Sequence, residues 1–218
     1  MKYKILKILL KTSILKTLIF NIKYFGLKGL TFPVLIGHKV ELNKLGGKII
    51  INNPKFGHIK LGIYTPANYS SNNISTFFNN GIIIFNTKAS LGTGFRLCNS
   101  GKITFGYNFS LTANSSVLCN KEICFGDNNT VSWTVEIMDT DIHKIFDKNN
   151  NIINSPEAVV FGNNTWICSG AKILKGSSFS DTTIIAANSC IANKKFDKQN
   201  IIIADNGKII KEGMDWNY

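Results

Sequence analysis

The sequence predicts a mainly β protein, a parallel β-helix in which short strands meet at tight corners. Bulky apolar residues recur every six positions in the second half of the chain, with a small residue two positions before each of the later five. A period of six fits neither an amphipathic helix nor an alternating strand, whereas it fits a coil whose sides each point one large side chain inwards. The large residues are Phe161, Ile167, Ile173, Phe179, Ile185 and Ile191, and the small ones are Thr165, Ala171, Ser177, Thr183 and Ser189.

The same register occurs upstream as three triplets of apolar residues. The spacing is six within a triplet and eight between triplets, and this even step keeps the large side chains on one face. A triplet with a two-residue extension is typical of one three-sided turn of a solenoid, which buries its apolar residues by stacking on neighbouring turns. A β-sandwich is the alternative, but sandwiches do not keep this register for so long. The triplets are Phe85, Leu91, Leu97; Phe105, Leu111, Val117; and Phe125, Val131, Ile137.

The corners of these upstream turns break the small-residue rule. Phe95, Phe109 and Lys121 stand where the later turns have Thr, Ala or Ser. A large side chain at a tight corner is difficult to accommodate, so the sequence predicts that the early turns are less regular than the later ones.

Two surplus stretches interrupt the register. From Ile137 to Phe161 the step is 24 residues, more than one side of a coil can hold, so residues 139–156 are predicted to leave the coil as a loop. Residues 64–80, rich in Asn and Ser, predict a second surface excursion. Long loops in compact repeat proteins often carry function, which makes the 139–156 loop the first candidate for a site.

Composition limits the possible partners. The 218 residues carry a formal net charge of +12, which reflects either a solvated surface or a preference for anionic ligands such as phosphates, acidic glycans or anionic lipids. No nucleic-acid partner is predicted, because the lysines are spread along the chain without a nucleic-acid-binding motif. The five cysteines lack metal-ligand spacing, so reduced thiols in a cytoplasmic protein and no metal are expected.

The chain divides into an amino-terminal amphipathic helical segment (1–31), a β-helix (32–193) with its loop, and a tail (194–218). In the first segment, lysines punctuate runs of Ile and Leu that are too short to cross a bilayer. The helix is expected either to pack on the coil or a neighbouring subunit, or to lie on an anionic membrane surface, at the inner face of the cytoplasmic membrane. The predicted apolar face comprises Ile5, Leu6, Leu9, Leu10 and Ile14.

Residues 137–216 resemble the left-handed β-helix acyltransferases with hexapeptide repeats, and within them the branch that O-acetylates bacterial surface saccharides. Hexads alone are common to the superfamily, but a histidine-bearing loop followed by a tryptophan-bearing hexad is more specific. The matching parts are the loop 138–145 with Ile153 and Asn154, the hexads 161–167 and 173–176, the corner 185–189, and the tail 207–212 with Trp216.

The resemblance implies a left-handed coil, a homotrimer, acetyl-CoA as donor and a saccharide as acceptor. Handedness rests on the resemblance alone, because strand crossovers are usually right-handed. The chain departs from the family pattern at Cys168 and in the stretches 186–189 and 204–208, near the expected path of coenzyme A.

Acetyl transfer to a sugar hydroxyl needs a base, because the alcohol is a poor nucleophile until its proton is removed. Histidine suits this task since its pKa lies near neutrality. Of the three histidines, His38, His58 and His143, only His143 lies in the 139–156 loop. His143 is therefore predicted to be the general base, with backbone amides stabilising the oxyanion.

Neighbouring residues are candidates for holding this base in place. Asp141 or Asp139 could bond the other ring nitrogen, as a carboxylate does in a catalytic triad, although a backbone carbonyl could serve equally well. Asn154 is expected to pin the return of the loop. The resemblance places Trp166 beside the site, where it would support the loop or the acceptor.

Acetyl-CoA needs approachable backbone and basic groups. Small residues at predicted corners provide the first, and lysines provide the second, two of them at positions where the resemblance implies phosphate contacts. No P-loop or dinucleotide-binding glycine pattern is present. The candidates are Gly170, Ala171, Lys172, Ala187, Lys194 and Lys195.

The predicted function is an acetyl-CoA-dependent O-acetyltransferase acting on a hydroxyl of a bacterial cell-surface glycan (lipooligosaccharide, capsule or O-antigen) or its precursor. An N-acetyltransferase of an amino-sugar nucleotide would use the same donor and base with a different acceptor. A non-catalytic trimeric scaffold or saccharide-binding module is a third possibility, motivated by the altered corners. A γ-class carbonic anhydrase would need several histidines around zinc, which the hexads do not offer.

Overall fold

A computed structural model describes residues 8–66, 69–70 and 72–216. The chain forms a mainly β coil whose strands stack into three sheets, so the predicted parallel β-helix is confirmed. In chain order, the strands are β1 Val34–Ile36, β2 Val40–Leu45, β3 Lys48–Ile51, β4 Ile59–Leu61, β5 Ser75–Asn79, β6 Ile82–Phe85, β7 Ala89–Leu91, β8 Arg96–Asn99, β9 Lys102–Phe105, β10 Phe109–Leu111, β11 Ser116–Cys119, β12 Glu122–Phe125, β13 Thr130–Val131, β14 Glu136–Met138, β15 Val159–Phe161, β16 Trp166–Ile167, β17 Lys172–Ile173, β18 Ser178–Phe179, β19 Thr183–Ile185, β20 Cys190–Ile191, β21 Lys195–Phe196, β22 Ile201–Ala204 and β23 Lys208–Glu212.

Each turn of the coil passes through sheet 1, sheet 2 and sheet 3 in that order. Sheet 1 contains β1, β4, β7, β10, β13, β16, β19, β22 and β23; sheet 2 contains β2, β5, β8, β11, β14, β17 and β20; and sheet 3 contains β3, β6, β9, β12, β15, β18 and β21. The sheets are therefore the three sides of a prism, with vertices where the chain passes from one sheet to the next. The pair β22–β23 is antiparallel, whereas the other strand pairs in the described ranges are parallel.

The inward residues of the hexads form the core as predicted. All fifteen large residues named above are at most 3% exposed, and the five small residues are fully buried. In sheet 3 the phenyl rings stack in a ladder along the axis, with neighbouring ring centroids 4.9–5.5 Å apart and planes within 13° of parallel. The ladder comprises Phe85, Phe105, Phe125, Phe161, Phe179 and Phe196.

The turns that carry Phe95, Phe109 and Lys121 are regular, contrary to the prediction. The pairs β6–β9 and β9–β12 run without a register shift, one turn being the 20 residues from Phe85 to Phe105. The turn from Phe161 to Phe179 has 18 residues. The longer turns leave room for Phe109, whose ring lies inside the coil between Phe105 and Phe125, 4.6 and 4.7 Å from them. A large side chain at these corners therefore fills the interior instead of disturbing the strands.

The amino-terminal helix closes the end of the coil. Residues 8–11 are helical, α1 spans Ile14–Phe25, and a 3-10 helix spans Gly26–Thr31. The side chain of Asn21 accepts a hydrogen bond from the Val34 N–H and donates one to the Val34 carbonyl, while the Thr17 hydroxyl accepts one from the Ile36 N–H. Helix α1 thus covers the free edge of β1, which would otherwise be open to another strand.

The predicted apolar face of this segment is not the face that packs. Ile5 and Leu6 lie outside the described residues, while Leu9, Leu10 and Ile14 are exposed. The helix is interrupted at Thr12 and Ser13, where Ser13 caps α1, so the predicted face is divided between two helical pieces. Thr17, Phe20 and Asn21 are the buried residues of α1.

At the other end, the coil continues through β22 to Ala204, past the predicted boundary at 193. The tail then turns back along sheet 1, which brings Trp216 beside β16. Within the described ranges, no helix has both the length and the apolar character needed to cross a bilayer.

Candidate functional site

The predicted loop emerges at the vertex between sheets 2 and 3. Strand β14 ends at Met138 and β15 begins at Val159. A bridge between Phe146 and Ile152 pairs the outgoing and returning arms, and the Asp147 carboxylate accepts the backbone N–H groups of Asn149 and Asn151 at the tip. The loop is therefore an ordered hairpin that projects from the prism.

Asp139 anchors the base of this loop. Its fully buried carboxylate accepts hydrogen bonds from the backbone N–H groups of Asn120 and Lys121, both 2.7 Å, and from the Cys119 thiol, 3.3 Å. Burial, reinforced by the Asp139 carboxylate, raises the pKa of the Cys119 thiol far above its usual range. Because both oxygens of Asp139 bond the preceding turn, these contacts fix the point where the loop leaves the coil.

Asp141 is held by residues of the loop and of the next turn. Its Oδ2 accepts hydrogen bonds from Lys175 Nζ at 2.5 Å and Asn154 Nδ2 at 2.9 Å. The Lys175 contact, followed by that of Asn154, holds the pKa of Asp141 below its usual value. The Lys175 ammonium also donates to the Asn154 carbonyl. Lys175 was not among the predicted residues, although it lies one turn further along the same vertex.

Asn154 joins the two arms of the loop around the histidine. Its Nδ2 donates to the carbonyl of His143 at 2.8 Å, and its Oδ1 accepts from the N–H of Ile145 at 2.7 Å. The backbone on both sides of Lys144 is therefore tied to the returning arm. These bonds fix the main chain of His143 while its side chain stays exposed to solvent.

Neither aspartate bonds the imidazole within the described chain. Asp139 and Asp141 bond other groups instead of the His143 ring. The His143 imidazole makes no hydrogen bond to any residue in the ranges 8–66, 69–70 and 72–216. The orienting role of a carboxylate, like that of His143 itself, stays a prediction.

Trp166 lies elsewhere, on the outer face of sheet 1. Its Nε1 donates to Ser132 Oγ at 3.0 Å, and its ring lies 5.8 Å from that of Trp216. The Nε1 of Trp216 donates in turn to the carbonyl of Asn164 at 2.6 Å. With Trp133 and Tyr64 these rings line an open cavity of about 340 Å³, which we call the aromatic cradle.

Aromatic walls with a few hydroxyls are typical of small-ligand sites. Ser132 and Thr112 supply hydroxyls to the aromatic cradle, and Thr112 Oγ1 is buried without a hydrogen-bond partner in the described residues. Sequence patterns missed Trp133 and Tyr64, because outward residues follow no hexad rule. The predicted surface excursion at residues 64–80 was the one sequence feature that could have indicated this cavity, since it places Tyr64 over the outer face of sheet 1.

A single chain does not bring His143 and Trp166 together. The loop emerges where sheets 2 and 3 meet, and that vertex lies opposite sheet 1, whose outer face carries the aromatic cradle. The two halves of the predicted site therefore stand on opposite sides of the prism.

The coenzyme A candidates also divide between two vertices. At the vertex of sheets 1 and 2, Gly170 adopts φ +72°, and a Cβ there would lie 2.2 Å from Asn188 Oδ1, so this corner needs glycine. Ala171 is fully buried beneath the same corner, whereas Lys172 and Ala187 are exposed there. The exposed Lys194 and Lys195 lie instead near the vertex that carries the loop.

The described part of the chain contains no cluster of three or more His, Cys, Asp and Glu side chains arranged to hold a metal ion. None of the five cysteines, all of which lie in the described ranges, forms a disulfide.

No protein-family model and no curated protein matches the chain. Solved structures do match it. The chain is similar to NeuO, a polySia-specific acetyltransferase, with a TM-score of 0.59 and 17% identity over 85% of this chain and 79% of that one. It is also similar to OatWY, a polysialic acid O-acetyltransferase, with a TM-score of 0.51 and 20% identity over 85% of this chain and 87% of that one. These likenesses confirm the predicted left-handed β-helix of the hexapeptide-repeat type.

Proposed function

We propose that this protein is an acetyl-CoA-dependent O-acetyltransferase acting on a hydroxyl of a cell-surface glycan or its precursor. The observation that carries the proposal is a histidine with an exposed ring and a fixed backbone, on a braced hairpin that leaves a β-helix. The two similar structures, both acetyltransferases of polysialic acid, support the same reaction.

In this mechanism His143 takes the proton of the acceptor hydroxyl as its oxygen attacks the thioester carbonyl of acetyl-CoA. The carbon–sulfur bond then breaks, the acetyl group stays on the sugar oxygen, and the imidazolium returns its proton to the departing thiolate. General-base catalysis of this kind contributes roughly 10²–10⁴-fold. Backbone amides near the corners would stabilise the oxyanion.

The complete site is proposed to lie between two copies in a homotrimer. A threefold axis parallel to the coil keeps equivalent turns at equal height. The loop between β14 and β15 of one copy then emerges level with β13 and β16 of its neighbour, which carry the aromatic cradle. His143 of one copy would thus face Trp166 of the next.

The same packing would join the divided donor site. Lys194 and Lys195 lie near the loop vertex, whereas Gly170, Lys172 and Ala187 lie at the vertex of sheets 1 and 2. Contact between the loop vertex of one copy and sheet 1 of another brings the two groups to one groove. There the lysines would bind the phosphates of coenzyme A, and the open corners would receive its extended arm.

The test incubates the protein with acetyl-CoA and separate acceptor fractions. Thiol release with glycan fractions, together with alkali-labile acetyl groups on the product, is the expected result, because esters of sugar hydroxyls hydrolyse in mild base. Thiol release with amino-sugar nucleotides and a base-stable product would instead establish N-acetyl transfer. Glycan binding without thiol release from any acceptor would establish the non-catalytic module.

The location is proposed to be the cytoplasm, at the inner face of the cytoplasmic membrane. The first 40 residues contain eight lysines and no Asp or Glu. In the amino-terminal segment, Leu10, Ile14 and Leu15 are 71%, 81% and 67% exposed. Apolar side chains among lysines suit a surface of anionic lipid.

Vesicle flotation tests this contact. The full chain is expected to float with vesicles that contain phosphatidylglycerol. With vesicles of pure phosphatidylcholine it should remain at the bottom of the gradient. Ile14→Gln with Leu15→Gln should weaken binding at least about tenfold, since each side chain loses roughly 1.5–3 kcal/mol of burial. Ile210→Gln is the control, because it replaces an equally apolar and exposed side chain on β23, at the other end of the coil. Equal flotation of all three proteins would contradict the membrane contact.

A further inference from the structure

The outer face of sheet 1 carries a second cavity beside the aromatic cradle. This cavity, of about 500 Å³, extends towards the amino-terminal turns and shares Thr130 and Trp216 with the aromatic cradle. His58, Lys60 and Lys88 line its far end. We call this cavity the basic groove.

The floor of the basic groove is a row of hydroxyl side chains. Ser90, Ser110 and Thr130 occupy paired positions on β7, β10 and β13, in register with Lys60 on β4 and Trp166 on β16. Neighbouring strands are about 4.8 Å apart, so Lys60 and Trp166 lie roughly 19 Å apart along the coil. Small hydroxyls between them leave a straight, polar channel for an elongated ligand.

Asparagines form one wall of this channel. Asn108, Asn128 and Asn164 stand at the corner before sheet 1 in three successive turns, each with positive φ. Asn108 Nδ2 donates to Asn128 Oδ1 across one step of this row. The wall therefore offers amide donors and acceptors along the same direction as the hydroxyl floor.

The far end of the basic groove is cationic and lacks an acidic partner. Burial, and after it the charge of Lys88, lowers the pKa of Lys60. Burial and then Lys88, Lys55 and Lys60 lower the pKa of His58, whose Nδ1 is buried without a hydrogen-bond partner among the described residues. The ion pairs found in the described ranges are Lys102–Glu122, Lys175–Asp141 and Lys198–Glu212, which are elsewhere. An anion placed here would relieve the repulsion between the lysines.

We propose that the basic groove is a distal binding subsite for an anionic group of the acceptor, a carboxylate or a phosphate, held by Lys60 and Lys88. This inference rests on the proposed function for the identity of the ligand as the acceptor. The sugar to be acetylated would occupy the aromatic cradle, and the chain between them would lie along the hydroxyl floor. The anion could be repeated along the glycan or be a single phosphate at its reducing end.

Binding measured without acetyl-CoA tests the subsite. One pair of probes is the hexamer of galacturonic acid and its methyl ester, which lacks the charges. The other pair is maltohexaose 1-phosphate and maltohexaose, which isolates one terminal phosphate. Wild-type protein is expected to bind the charged member of at least one pair about tenfold or more tightly, and the pair that shows it identifies the source of the anion.

The double variant Lys60→Gln with Lys88→Gln should bind charged and neutral members equally. Lys48→Gln, at an exposed lysine of sheet 3, should keep the preference of the wild type. Equal binding of charged and neutral probes by wild type, or an unchanged preference in the double variant, would overturn the proposal. During turnover with a charged acceptor, the double variant should raise KM and leave kcat unchanged.

Failure of the two proposals can be told apart. A wild-type preference for the charged probes, lost in the double variant, supports the subsite even if no acceptor ever releases the thiol of coenzyme A. Acetyl transfer by a protein that shows no such preference overturns the subsite and leaves the proposed function standing.

Discussion

Replacement of His143 by alanine is expected to lower the rate of acetyl transfer roughly 10²–10⁴-fold, because the acceptor hydroxyl then loses its base. The melting temperature should not change, since the side chain is exposed and the bonds that brace the loop use its backbone. Thiol release from acetyl-CoA and thermal unfolding of the same preparations measure the two quantities.

Lys144→Ala is the matched control, because Lys144 is the next exposed residue of the same hairpin. It should keep turnover near that of the wild type. A His143→Ala protein with wild-type turnover would contradict the assignment of the base, and equal losses in both variants would point to a disturbed loop.

The same variant tests whether the site is shared between copies. Co-expression of His143→Ala with Trp166→Ala is expected to restore part of the activity that each lacks alone. A mixed trimer contains an interface with an intact histidine from one copy and an intact tryptophan from the next. Absence of any recovery, with mixed trimers shown by mass, would contradict a site shared between copies.

Replacement of Phe125 by alanine is expected to lower the free energy of unfolding by about 3–5 kcal/mol. Its ring is 1% exposed and touches three others, lying 5.5 Å from Phe105, 4.9 Å from Phe161 and 4.7 Å from Phe109. Removing it opens a cavity in the middle of the ladder, which fixed strands on all three sides cannot close. Urea unfolding followed by circular dichroism measures the change.

Phe56→Ala provides the comparison, because Phe56 is exposed and belongs to no strand. Its effect should stay within about 0.5 kcal/mol. If Phe125→Ala had an equally small effect, the stacked rings would not be what holds successive turns together.

The core was predictable from the sequence because the side chains that point inwards must repeat with the turn. Phe161, Ile173 and Ile185 could therefore be assigned to the interior from spacing alone. Spacing also located the loop that carries His143, since the surplus residues had no room on one side of the prism. The early corners were misjudged because spacing does not give the width of a turn, and the longer turns have room for Phe109.

The site was less predictable, because contacts between outward residues obey no period. Nothing in the sequence links Lys175 to Asp141, or Trp216 to Asn164, across 34 and 52 positions. The amino-terminal segment is helical as predicted, but its break at Ser13 was not predicted, because the spacing of the apolar residues continues across it.

Because the register is constant in the turns between β7 and β13, the number of turns sets the distance between residues of the outer face along the coil. Adding or removing one whole 20-residue turn there would preserve the inward side of every residue, because the repeat unit is complete. It would shift Lys60 relative to Trp166 by one strand spacing, about 4.8 Å. The distance between a bound charge and the reacting hydroxyl could thus be set by the number of turns, with no change to the chemistry at either end.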